Sequence, residues 1–145
     1  MKIEMEETAA NSLPYEATPM RLDSPEACSR QMAACAALGD LDCASEIFEE
    51  DATFVHEDGT VVRGLAAIRE TLAEFIRARP DLEITVRRSV QAGGDLAILY
   101  LDWSYESVES NGAPVPNAGA SVQIARRQHD GTWRVVFDDH GHGIP

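Results

Sequence analysis

Residues 39–72 read GDLDCASEIFEEDATFVHEDGTVVRGLAAIRETL, and three changes of pattern within them decide the fold. Gly39 suits the left-handed position that ends a helix, and Asp40 suits the cap of the next one. The spacing predicts a second, short helix in which Leu41, Ala44, Ile47 and Phe48 share a face. Around Phe54 the pattern becomes strand-like, and Asp58-Gly59 is a two-residue hairpin signal between short strands. Gly64 then opens the clearest helix of the chain. Leu65, Ile68, Leu72, Phe75 and Ile76 recur at steps of three and four, with Arg69, Glu70, Glu74 and Arg77 opposite, until Pro80 stops it.

Upstream, Ser24-Pro25-Glu26 reads as a helix start: a capping hydroxyl, a proline at the first position and an acid at the positive end of the dipole. Cys28, Met32, Cys35 and Leu38 then recur at helical spacing. Residues 1–22 carry acids, two prolines and no periodicity, and read as an acidic extension before a single domain over 23–145. After Pro80 the period is two. The stretches 82–93, 95–107, 121–130 and 132–140 each read as a strand, with Gly93-Gly94 and Asp130-Gly131 as tight turns. Asn111-Gly112 with Pro114 and Pro116 reads as a broader turn. The order is helix, helix, hairpin, helix and a four-stranded antiparallel meander, an α+β layout with three helices on one face of a curved sheet.

A chain of 145 residues fits one domain. Its net charge of −13, with Lys2 the only lysine, argues against nucleic acid and against an anionic membrane surface as partners. No apolar run approaches the ~20 residues of a membrane span, and the polar opening MKIEMEETAANS lacks a secretion pattern. The expectation is a soluble cytoplasmic protein. Cys28, Cys35 and Cys43 are an odd count. Cys28 and Cys35 lie two helical turns apart, too far to bridge, so all three read as small core residues in a reducing compartment.

The quoted stretch, together with GGDLAILYLDW at 93–103 and RRQHDGTWRVVFDD at 126–139, resembles the NTF2-like superfamily, in its ketosteroid-isomerase-like and SnoaL-like (polyketide-cyclase-like) branch. The resemblance covers roughly residues 24–140. It implies a cystatin-like cone with a pocket between the helices and the concave face of the sheet, and a homodimer through the convex face. Alternation along 96–105 separates the row Ala97, Leu99, Leu101, Trp103, Tyr105 from the row Ile98, Tyr100, Asp102, Ser104. The second row is expected to face the pocket.

In ketosteroid isomerase a carboxylate of the first hairpin is the general base, and the resemblance puts His56 at that position. A histidine serves the same purpose at neutral pH. The isomerase's oxyanion hole, a tyrosine and a protonated aspartic acid, falls on Met32 and Gln123, so a true ketosteroid isomerase is not expected. By the same alignment Val136, Asp138 and His140 point inward. The resulting expectation is that Asp138 or Asp102 orients His56 as base, with Gln123 and Tyr100 on the developing oxyanion. Met32, Phe54, Phe75, Ile98, Tyr100, Gln123, Val136 and His140 line the pocket. A partly exposed strand-end histidine is the plainer reading of His56.

His140 and His142 near Asp138 have the alternation of a metal pair, but Gly141 and Gly143 argue for a loose chain end, and no metal or other cofactor is expected. Arg87-Arg88 and Arg126-Arg127 read as surface partners of the many acids. The function expected is a pocket for a small, apolar, carbonyl-containing ligand. Its chemistry is proton transfer next to the carbonyl, as in an isomerase or cyclase. The other reading is a ligand-binding or association domain without catalysis. The first needs His56 beside a carboxylate and open to a cavity of a few hundred cubic ångströms.

Overall fold

A computed structural model describes residues 21–140, so most of the expected extension, and His142, lie outside the described residues. Leu22, read as part of the extension, belongs to the domain: it is 5% exposed, and its carbonyl accepts the Trp133 N–H at 2.8 Å. Helix α1 spans Pro25–Leu38. Ser24 accepts the Ala27 N–H at 3.2 Å, and Gly39 closes the helix at φ 69°. Helix α2 spans only Leu41–Ser45, capped by Asp40. Ile47 and Phe48, expected on its face, instead enter the core from the connection and from the first residue of strand β1, Phe48–Val55. Strand β2 is Val61–Arg63, and helix α3 is Leu65–Arg77, burying Ile68, Leu72 and Ile76.

Strands β3 (Glu83–Ala92), β4 (Leu96–Val108), β5 (Pro114–Arg127) and β6 (Trp133–Asp139) form the expected antiparallel meander. The sheet order is β2-β1-β6-β5-β4-β3, and β1 runs parallel to β6, so the sheet is mixed. Strand β5 starts earlier than the pattern suggested, because Pro114 and Pro116 lie within it. Strand β6 pairs with Val122–Arg127 only. The first half of β5 is therefore an edge on that side, where a missing N–H costs nothing.

Three hairpins share one turn. In His56–Thr60, Glu109–Ala113 and Gln128–Thr132, the first residue's N–H donates to the fifth residue's carbonyl. The fourth residue, a glycine at φ 85–89°, donates back to the first carbonyl. In each, the third residue, Asp58, Asn111 or Asp130, accepts the fifth N–H with its side chain at 2.8–2.9 Å. Only the glycine has positive φ, so Asp58-Gly59 closes a three-residue loop rather than the two-residue loop expected.

The core lies between the helices and one sheet face: Cys28, Cys35 and Ala36 of α1, Ile68 and Ile76 of α3, Leu99 and Leu101 of β4, and Val135 of β6 are at most 1% exposed. Cys28 is a buried free thiol, which burial pushes up to about 12. Cys35 and Cys43 are not free. They form a disulfide between α1 and α2 with Cα atoms 5.6 Å apart, which corrects the reading of three reduced core cysteines. The tight turn at Gly39-Asp40 folds α2 back on α1, an approach that the spacing between Cys28 and Cys35 did not address.

Candidate functional site

The parallel junction of β1 and β6 builds the polar end of the cone. Phe54 lies opposite Asp138 in the register, and the His140 N–H donates to the Val55 carbonyl at 3.0 Å. His56 and His140 therefore leave adjacent strands together, each against the Phe54 ring, at centroid distances of 5.3 and 4.6 Å. Both line a cavity of about 160 Å³. Its apolar walls come from Met32 of α1, Leu72 and Phe75 of α3, Ile84 of β3, and Leu101 and Trp103 of β4. Tyr105, Ser121, Gln123 and Asp138 add polar groups. The cavity is smaller than the few hundred cubic ångströms expected.

Asp138 is 3% exposed. Its Oδ2 accepts the Gln123 amide at 3.1 Å and lies 3.5 Å from His140 Nε2, while Oδ1 is buried without a partner among the described residues. Gln123 Oε1 lies 3.5 Å from Ser29 Oγ on α1. The carboxylate expected beside His56 thus stands beside His140. Burial opposes the charged imidazolium of His140, but the Asp138 charge and contact, with Glu57 and Asp139 behind them, outweigh it and raise its pKa above the usual histidine value. Burial, with Glu57 nearby, raises Tyr105, which keeps it a hydroxyl donor.

Asp102, Ile98 and Tyr100 do not reach the cavity. Asp102 is on the opposite face, its side chain 53% exposed and paired with Arg87 at 3.0 Å, and Tyr100 lies beneath Arg88. The covered row of β4 is the opposite one from that expected. The row the helices cover is Ala97, Leu99, Leu101 and Trp103, all at most 9% exposed. That row carries no charge, and this was the available signal for Leu101, Trp103 and Tyr105, which sequence reasoning left out of the site. Val136 is also absent from the cavity, for a different reason. Ala125 pairs with Val135 and Ile124 with Phe137, so Val136 is an unpaired bulge residue. The bulge resets the alternation: Val135 faces the core before it, Asp138 after it. Met32, Phe54, Phe75, Gln123, Asp138, His140 and His56 do line the cavity. No arginine does; Arg126 pairs with Glu49 at 3.1 Å on the surface. Among the described residues no group of three His, Cys, Asp or Glu side chains is placed to hold a metal.

A family model described as a SnoaL-like domain matches residues 29–136. The chain belongs to the SnoaL-like domain family. Among solved structures, this SnoaL-like domain is similar to a ketosteroid isomerase-like protein from Erwinia carotovora atroseptica, at 15% identity and TM-score 0.70, over 86% of this chain and 97% of that one. It is also similar to a putative calcium/calmodulin-dependent protein kinase type II association domain from Thiobacillus denitrificans, at 21% identity and TM-score 0.67, over 82% and 94% of the two chains. An NTF2-like superfamily protein from Salmonella enterica superposes at TM-score 0.66 and 16% identity, over 82% and 88%. These likenesses show the fold, the NTF2-like α+β cone. No curated protein matches the SnoaL-like chain. Among its described residues no helix is long and apolar enough to cross a membrane.

Proposed function

We propose that the cone binds a small, mostly apolar carbonyl compound and moves a proton on the carbon next to the carbonyl. The observation that carries this reading is the buried Asp138 carboxylate, shared between Gln123 and His140 at the polar end of an apolar cavity. His140, held toward its protonated form by Asp138, is a donor for a carbonyl oxygen as it gains negative charge. His56, which lines the same cavity across the Phe54 ring, is the base, without the carboxylate partner expected beside it. Its imidazole takes the proton from carbon, and the C–H electron pair moves to form the enolate. Return of the proton to the same or to a conjugated carbon completes exchange or isomerisation with no net gain or loss of atoms. Gln123 has a different part from the one its sequence position suggested: its amide is committed to Asp138, so it positions the carboxylate. Tyr105 takes the place expected of Tyr100 as a hydroxyl at the site.

Deuterium exchange tests this. Small cyclic ketones and enones in D₂O with the protein are expected to exchange α-protons faster than in buffer, read by proton NMR. Removing a single acid–base group costs about 10²–10⁴ in rate, so His56→Ala and His140→Ala should each lose most of the exchange. Unchanged exchange in both variants overturns the assignment.

The outer face of the sheet favours a second role, association of two copies. Val90, Ile98, Val122 and Ile124 lie there, Ile98 paired with both Val90 and Ile124 in the register, and Val90 is 37% exposed. Light scattering should give a dimer mass, and Ile98→Glu should give a monomer. A monomeric wild-type protein would remove this role.

A further inference from the structure

Two buried polar groups at the cavity have no partner among the described residues: the Trp103 indole N–H and Asp138 Oδ1. Trp103 is 9% exposed and Asp138 3%, and both line the cavity. One is a donor only and the other, as a carboxylate oxygen, an acceptor only. Buried polar groups are satisfied in nearly all native structures, so such a pair calls for explanation.

Neither side chain is free to turn away. Trp103 lies across Gly119, its register partner on β5; a Cβ there would stand 2.5 Å from the indole. The ring is further held against Tyr105, stacked at 6.0 Å between centroids, and against His140 at 6.1 Å. Phe75 meets Tyr105 edge-on at 4.9 Å. Asp138 is fixed by Gln123 through its other oxygen. The cavity is therefore a rigid aromatic slot with one donor and one acceptor preset.

Size narrows the occupant. A cavity of about 160 Å³ is close to the roughly 150 Å³ that holds one benzene. One ring fills it, and a fused polycyclic compound would extend out through its open side. Charge narrows it further. Among the described residues no arginine or lysine lines the cavity, and Asp138 and Glu57 do, which disfavours a carboxylate ligand.

We infer that the ligand is a neutral single-ring hydroxyaryl compound carrying a carbonyl: its hydroxyl donates to Asp138 Oδ1, its carbonyl oxygen accepts from the Trp103 indole beside His140, and its ring stacks in the aromatic slot. This deepens the proposed function, resting on the same cavity, and names the substrate class.

The test uses the whole chain, labelled with nitrogen-15 at the indoles, and a matched set of one-ring probes: toluene, anisole, phenol and 4-hydroxyacetophenone. Trp103→Phe assigns the Trp103 resonance against that of Trp133. Phenol and 4-hydroxyacetophenone should shift the Trp103 indole signal and bind about tenfold or more tighter than toluene, the increment of one good hydrogen bond to a charged group. Asp138→Asn should narrow the gap between phenol and anisole. Should that variant fail to fold, the comparison of probes on the wild-type protein decides alone. Toluene binding as tightly as phenol, or no probe moving the Trp103 signal, overturns the inference. The two readings fail separately: hydroxyaryl binding without α-proton exchange removes the proton-transfer chemistry and keeps this ligand class. Exchange of cyclic ketones with no preference for a hydroxyl does the reverse.

Discussion

His140 Nε2 lies 3.5 Å from Asp138 Oδ2, at the end of the parallel junction between the first and last strands. Two opposed effects meet there. Burial works to keep the imidazole neutral, and the carboxylate works to keep it charged, with the carboxylate ahead.

Removing the Asp138 charge should therefore lower the His140 pKa. In Asp138→Asn, burial is opposed only by Glu57 and Asp139, and the His140 titration followed by NMR should move to lower pH. The stability linkage has a definite direction. A histidine raised in the folded state contributes stability that is fully present below its ordinary value of 6.5 and is lost as pH rises through the raised one. Denaturation midpoints of the wild-type protein should fall across that window, and those of Asp138→Asn should fall less. An unmoved His140 titration would refute the pairing.

The face assignments show how far the sequence carries. Helix starts, the order of elements and the inward placement of Asp138 and His140 follow from caps, periodicity and resemblance. The face of β4 does not follow from alternation, because both rows carry apolar and aromatic residues and only the charge of Asp102 separates them. A one-residue error exchanges every side chain on a strand. The bulge at Val136 is equally hidden, since an unpaired residue shows only in the register of the two strands. Asp102 makes the difference measurable. Its side chain is 53% exposed and its partner Arg87 equally so. Asp102→Ala should change stability by no more than about 0.5 kcal/mol, as exposed pairs do, and should leave exchange activity and ligand binding intact. A large loss of either would restore Asp102 to the site.

Gly119 is where the chain gives up a side chain for the Trp103 ring. A Cβ at 119 would sit 2.5 Å from the ring, closer than any real contact. Gly119→Ala should push the indole into the cavity and cost about 1–3 kcal/mol, the usual penalty of overpacking. Urea denaturation gives the loss, and tryptophan fluorescence should change with it. A variant as stable as wild type, with an unchanged spectrum, would mean that the ring is not held by that contact.

The disulfide between Cys35 and Cys43 joins the helix that carries Met32 and Ser29 to the short helix behind it. It closes a loop with a sequence separation of 8. Chain entropy assigns a closure of that length about 2–3 kcal/mol. Helix α2 has five residues and one cap, too little to hold itself against α1. Its attachment otherwise rests on the burial of Ala44 in the core, on Arg69, which reaches from α3 to Ser45 Oγ at 2.9 Å and to Asp42 at 2.6 Å, and on Gln31, whose amide donates to the Cys43 carbonyl at 2.9 Å. Reduction should therefore lower the melting temperature by several degrees while leaving the sheet folded. Thermal scans with and without dithiothreitol measure the effect. Cys43→Ala should melt at the reduced temperature in both conditions, which separates loss of this bond from any effect of the reductant on Cys28. A wild-type protein indifferent to reductant would show that α2 is held by its packing and hydrogen bonds without the disulfide.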